Sequence, residues 1–209
     1  MKLLPFLAAF LCIVPAHAQP IRVGMINVLT GAQADAGVQL DNGAKTYLKM
    51  HGEPLPGRRI DLVRRDTGGA APALARRLAN DLIVLDKAEI LAGFLLAPNA
   101  LAAAEVAAQA NKLMVVMHAS VAPRPYVVST AVTGAYDPAL EQPVNRAFVR
   151  EFQAMHGRLP DAHAVGGYDG MHAIYQALRR TGGKTDGDAL LAAMKGLKWD
   201  SPRGPLSLN

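Results

Sequence analysis

Residues 21–50, IRVGMINVLTGAQADAGVQLDNGAKTYLKM, pass from an almost unbroken apolar run, through a small-residue turn, into a stretch with apolar residues at helical spacing. The run at 21–29 is rich in β-branched and aliphatic residues, as in a strand covered on both faces. Thr30-Gly31 closes it. The segment 36–50 then places Val38, Ala44, Tyr47 and Leu48 along one side of a helix that Gly52-Glu53-Pro54 stops. A doubly buried strand followed at once by an amphipathic helix opens a parallel α/β unit.

The unit repeats downstream. A strand at 60–65 leads through Asp66-Thr67-Gly68-Gly69 to a helix at 71–85 with Leu74, Leu78, Leu82 and Leu85 in phase. A third strand at 89–94 precedes a helix at 99–111 with Pro98 near its start, and a fourth strand spans 113–118. Such alternation predicts an α/β fold, a doubly wound parallel sheet with right-handed crossovers. Ligands on these sheets collect outside the carboxyl ends of the strands, here 29–31, 66–69, 94–99 and 118–121. The second half changes character. Pro123, Pro125, Pro138 and Pro143 surround a strand-like run at 126–133, and three additional C-terminal helices follow at 142–156, 163–181 and 186–195, before a short terminal strand near 205–208. No internal repeat of fixed period is present.

Upstream of residue 21 the chain reads as an export signal. Lys2 supplies the positive start, 3–14 the apolar core, and Ala16-His17-Ala18 a cleavage site before Gln19. The apolar core is too short to span a bilayer. Cys12, the only cysteine, lies inside it without the small residues a lipobox needs, so a soluble periplasmic product cleaved near Ala18 is expected, without thiol or disulfide. The formal charge of +5 is a mild excess carried by scattered Arg pairs, with no long basic run and only 5% aromatic residues. Nucleic acid is therefore not an expected partner.

The usual constellations of chemistry are missing. Gly183-Lys184-Thr185 resembles the end of a phosphate loop, but Leu178 stands where the first glycine belongs and a helix precedes it, so a helix-ending turn is the better reading. Gly166-Gly167-Tyr168-Asp169-Gly170 lacks dinucleotide spacing; small residues that let a helix approach a sheet explain it. The histidines, at 17, 51, 118, 156, 163 and 172, follow no metal-ligand spacing. Ser120, two residues after His118, makes a poor nucleophile–base pair, and Asp66 reads as a turn former. Neither an enzyme nor a cofactor or metal is expected.

Three stretches carry a resemblance. IRVGMINVLTGAQADAGVQLDNGAKTYL, RIDLVRRDTGGAAPALARRLANDLI and EILAGFLLAPNALAAAEVAAQANKLMVVMHAS resemble, in order and spacing, the first lobe of the leucine/isoleucine/valine-binding, or branched-chain amino-acid, substrate-binding proteins of ABC importers. A later block, NRAFVREFQAMHGRLPDAHAVGGYDGMHAIYQALRRTGG with LLAAMKGLKWDSPRGPLSLN, is similar to the same family's carboxyl-terminal region. The resemblance implies a two-lobed clamp that closes on an amino acid and delivers it to an ABC permease in the inner membrane. It places ligand contacts at Leu96, Ala97, Pro98 and Asn99 after the third strand, and at Ala119, Ser120 and Val121 after the fourth. Ser120 and Asn99 read equally well as helix caps, because capping and anion binding share one geometry. Ala36 stands where several family members carry an aromatic that covers the ligand.

The two blocks meet near Pro125-Tyr126-Val127, where first-lobe sequence passes into STAVTGAYDPALEQPVN, which is similar to a much later family segment. The expected organisation is a signal peptide at 1–18, a first-lobe α/β half at 19–128, and a segment at 129–209 that completes the same lobe, with the second lobe largely missing. Impaired ligand binding follows from half a cleft. The alternative is a non-transporting periplasmic interaction or sensory module built on the retained lobe.

Overall fold

The computed structural model describes residues 19–131 and 135–208; the expected signal at 1–18 and residues 132–133, the end of the strand-like run, lie outside them. Strands β1 (Ile21–Asn27), β2 (Ile60–Asp66), β3 (Ile90–Gly93), β4 (Leu113–Val116) and β5 (Val127–Ser129) form one sheet in the order β2-β1-β3-β4-β5, parallel throughout. Helices α1 (Ala34–His51), α2 (Pro72–Val84) and α3 (Ala97–Gln109) make the crossovers. Helices α4 (Pro143–His156), α5 (Ala162–Arg180) and α6 (Gly187–Met194) follow, then a hairpin of β6 (Lys198–Ser201) and β7 (Gly204–Ser207).

Alternate residues of each strand feed opposite cores. On one face Ile26, Leu91, Met114 and Val116 pack under α2 and α3 through Ala79, Leu82, Ala103 and Ala107. On the other, Met25, Ala92 and Val115 pack under α1, α4, α5 and α6 through Leu40, Phe148, Ile174 and Leu190. The fold is therefore the expected doubly wound α/β arrangement, and both of its cores rest on one sheet. None of the described helices is long and apolar enough to cross a membrane.

The glycine-rich stretch at 166–170 lies inside α5 and serves close packing. A Cβ at Gly167 would sit 2.0 Å from the Leu40 carbonyl oxygen of α1, and one at Gly43 of α1 would sit 1.8 Å from the Ala164 carbonyl of α5. The two helices meet backbone to backbone. Gly182 and Gly183, with φ of 63° and 84°, then end α5 in a turn, as the sequence predicts for Gly183-Lys184-Thr185.

Two boundaries differ instructively from the periodicity reading. Helix α3 begins at Ala97, not 99, because Pro98 sits in its first turn, where the missing N–H has no helical partner to lose. The chain after Gly196 holds two strands and not one, since Lys198–Ser201 alternates exposed and buried residues and pairs with β7. A buried carboxylate fixes this hairpin. Asp169 in α5 accepts hydrogen bonds from Trp199 Nε1 (3.1 Å) and Ser201 Oγ (3.0 Å), and Arg203 Nη2 lies 2.7 Å from its Oδ2.

Candidate functional site

In the order β2-β1-β3-β4-β5 the chain turns one way after β1 and the other way from β3 onward. The loops that follow β1 and β3 therefore part and leave a crevice at the carboxyl edge of the sheet. A shallow depression of about 400 Å³ lies there. Its walls come from four places: Ala32, Gln33 and Ala36 where α1 begins, Leu95 and Leu96 before α3, His118 after β4, and Asp161 and His163 at the start of α5.

Helices α1 and α3 enter this edge without side-chain caps, at Gln33 and Leu96. The α1 start carries Asp35 in its first turn and gives its Ala34 N–H to the Gly31 carbonyl (3.2 Å), whereas α3 has no acidic residue in its first turn, so the positive end of its dipole is the one that favours a carboxylate. Helix α5 differs, because Asp161 caps it by accepting from the N–H groups of His163 (2.8 Å) and Ala164 (3.1 Å). The charged groups of the rim are internally paired. Arg158 holds Asp35 through two bonds (2.5 and 3.1 Å) and keeps that exposed carboxyl below its usual range. Burial acts to raise Asp161, but the His163 ring and the α5 N–H groups outweigh it and bring its pKa down.

Two imidazoles line the floor. His118 and His163 face each other with ring centroids 4.3 Å apart, and His163 Nδ1 lies 3.1 Å from Asp161 Oδ2. Burial lowers the pKa of His118, and neighbouring His163 and Arg203 push it the same way against the pull of Asp161. His118 is thus neutral near pH 7, with one ring nitrogen able to donate and the other to accept.

The residues expected from sequence separate into three groups. Leu96 lines the depression, and Ala97 and Pro98 make the first turn of α3 beside it. Asn99 is 3% exposed and fully engaged elsewhere: its Oδ1 accepts from Ala71 N–H (2.8 Å), and its Nδ2 donates to Thr67 Oγ1 (3.0 Å) and the Gly69 carbonyl (2.8 Å). It ties down the β2–α2 loop and does not cap α3. Ala119 is buried with its N–H donated to Phe94, Ser120 is exposed, and Val121 lines a different groove beside β5. Asp66 is a turn former, as expected, taking the N–H groups of Leu29 (2.7 Å) and Gly68 (2.8 Å) and the Thr30 hydroxyl (2.6 Å). Sequence reasoning missed His118 and His163 as neighbours. The one available signal was that each stands at an element boundary on the carboxyl edge.

The described residues hold no cluster of three or more His, Cys, Asp or Glu placed to bind a metal ion. What the depression offers is a set of donors for a small anion, framed by apolar side chains.

Comparison with known proteins agrees with this architecture. The family described as periplasmic binding protein matches residues 20–135 and 126–209. The Leu/Ile/Val-binding protein homolog 6 of Brucella abortus (strain 2308) is 24% identical over 330 aligned positions, covering 93% of this chain and 85% of that protein. The solute binding protein of an ABC transporter from Rhodopseudomonas palustris BisB5, solved in complex with 3,4-dihydroxybenzoic acid, is 27% identical. It superposes with a TM-score of 0.84 over 90% of this chain and 88% of that one. The leucine binding protein LivK of Thermotoga maritima shares the fold at 14% identity, with a TM-score of 0.77 over 88% and 90% of the two chains. Sheet order, switch-point crevice and family match lead to one conclusion: the chain belongs to the periplasmic binding protein family and is by homology an ABC-type solute-binding protein.

Proposed function

We propose that the protein is the substrate-binding component of an ABC importer for branched-chain or related amino acids, exported to the periplasm, cleaved near Ala18 and reduced to one lobe with weakened ligand binding. The observation that carries this reading is the switch-point depression, where two uncapped helix starts and the His118 ring meet without a buried free carboxylate. A ligand carboxylate suits those donors. Leu96, Ala97 and Pro98 contribute the apolar wall and first turn, and Ala119, Ser120 and Val121 continue the same loop edge; Asn99 supports them by holding the neighbouring loop.

Reduction to one lobe is supported by the form of the match. The aligned region shared with the Brucella protein runs over 330 positions, against 209 residues here, and the family match falls into two blocks that overlap at 126–135. That junction takes in β5 and the start of the link to α4, where a second lobe would depart and return. A shelf with one wall buries less of a ligand than a closed clamp, so affinity falls by orders of magnitude.

Thermal-shift titration with leucine, isoleucine, valine and 3,4-dihydroxybenzoate tests the proposal. The aromatic acid is included because the Rhodopseudomonas palustris relative was solved with it. Stabilisation is expected only at millimolar ligand and strongest for an amino acid. Saturable stabilisation at micromolar concentration would overturn impaired binding, and preference for the aromatic acid would overturn the amino-acid assignment. Intact-mass measurement of periplasmic extract tests processing before Gln19.

A second reading has its own observation. A groove of about 320 Å³ runs beside the edge strand β5 and is lined by Val127, Val128, Leu191, Met194 and Leu208. Such an apolar surface favours an interaction module that contacts the permease or a sensor without closing on a ligand. Light scattering that finds a strictly monomeric protein at all concentrations counts against it.

A further inference from the structure

The sheet has a second edge, where its strands begin, and the solute crevice makes no use of it. Arg22 lies at the start of β1, Arg58 two residues before β2, and Lys87 in the turn before β3. These three side chains, with Gln19, Pro20 and Glu89, line a recess of about 620 Å³.

The charges of this recess are unbalanced. Glu89 is its one carboxylate, and both oxygens are engaged, Oε2 by the Arg22 backbone N–H (3.2 Å) and Oε1 by the Thr185 hydroxyl (2.7 Å). Arg22 donates to the Asp86 carbonyl (2.9 Å) and stands 3.9 Å from Asp61, too far for a hydrogen bond, while the Asp86 carboxylate is taken by Arg65. Among the described residues no carboxylate lies within ion-pair distance of Arg58 or Lys87. Arg58 Nε is buried without a hydrogen-bond partner among the described residues.

The glycine turn that ends α5 packs against two of the lining residues, Arg58 and Glu89. Gly183 lies against Leu55 and Arg58, where a side chain would collide with Leu55 at 2.7 Å, and Thr185 reaches Glu89 from the same turn. Arg22 keeps one long ion pair with Asp61, and Arg58 and Lys87 have none, so the recess carries a net positive charge that suits a compact dianion with several oxygens, since guanidinium forks bind phosphate through paired N–H groups.

We propose that this recess is a phosphate-binding site, with Arg22, Arg58 and Lys87 as its ligands, separate from the solute crevice at the other edge of the sheet. The shared chemistry is a phosphate or phosphate ester, either free or as a lipid headgroup.

Protein purified after export is titrated with inorganic phosphate by thermal shift and, separately, sedimented with vesicles of phosphatidylcholine alone or mixed with phosphatidylglycerol. Phosphate is expected to raise the melting temperature saturably, beyond sodium chloride of equal ionic strength, and Arg58→Gln with Lys87→Gln together to weaken that effect roughly tenfold or more. Each single variant is measured as well, so that a folding defect in the double variant leaves the test intact. Co-sedimentation only with phosphatidylglycerol vesicles, lost in the same variants, assigns the headgroup as source; phosphate binding without vesicle binding assigns the free ion. The proposal is overturned if salt reproduces the shift, if the variants retain it, or if neither phosphate nor vesicles bind.

Discussion

Asp169 is fully buried in the middle of α5 and gathers Trp199, Ser201 and Arg203 around one carboxylate. Burial pushes its pKa up, against the opposing pull of Arg203 and the two neutral donors. Removing one partner of such a buried pair leaves the other charge unmatched, so Asp169→Ala is expected to cost about 3–5 kcal/mol, read as a lowered urea midpoint. His172 lies on the same helix, stacked on Trp199 at 5.2 Å and hydrogen-bonded to Tyr47 (3.3 Å). Burial, with His51 and Arg179, lowers its pKa to about 4. Because the unfolded chain takes up this proton near pH 6.5 and the folded one only near pH 4, the stabilisation is complete above pH 6.5 and is lost as pH falls toward 4. For a group that is not fully buried the loss is on the order of 2 kcal/mol. Urea unfolding at pH 7 and pH 4.5 checks it, and His172→Phe is expected to flatten the difference. Neither role was legible in the sequence, where Asp169 is one polar residue in a glycine-rich stretch and its partners stand some thirty positions away. Asn99 stands in the first turn of α3, and the sequence does not reveal that its amide is consumed by Ala71, Thr67 and Gly69, which come from a different loop.

At the scale of elements, periodicity located every strand of the parallel sheet and all six helices, because each carries enough apolar residues at its own spacing to be read alone. Strand β6 was not read, since four residues alternating around Trp199 make a weak pattern and their pairing depends on β7 and on α5. The meeting of α1 with α5 was foreshadowed by small residues, although their spacing names no partner. It gives a sharp expectation. In Gly167→Ala the new methyl group would fall 2.0 Å from the Leu40 carbonyl, and the backbone, unlike a flexible side chain, cannot swing aside. The helices must separate, at a cost of about 3 kcal/mol by overpacking. Gly157→Ala, at an open helix end with φ of 68°, meets no atom within 4 Å and is expected to cost less. Thermal melts of the two variants side by side check the contrast.

At the scale of the molecule, both cores lean on one five-stranded sheet, so neither is expected to unfold while the other persists. Far-ultraviolet circular dichroism and Trp199 fluorescence are expected to report one coincident transition in urea; two separated transitions would show that the cores are independent. The switch-point crevice follows from strand order alone and was legible as a set of strand ends. The pairing of His118 with His163 was not, because it needs α5 to begin beside β4 across forty-five residues of intervening chain. That late helix also governs timing. Val23, Met25, Ile90, Ala92 and Val115 form the sheet face that α5 covers. A polypeptide made from its amino end completes these strands well before residue 162 is added. Until then that face has only α1 and α4 over it and lacks the helix at the centre of its cover, an intermediate with exposed apolar surface that is prone to association. A chain ended at residue 160 would be that intermediate made permanent, binding a hydrophobic dye and melting without cooperativity.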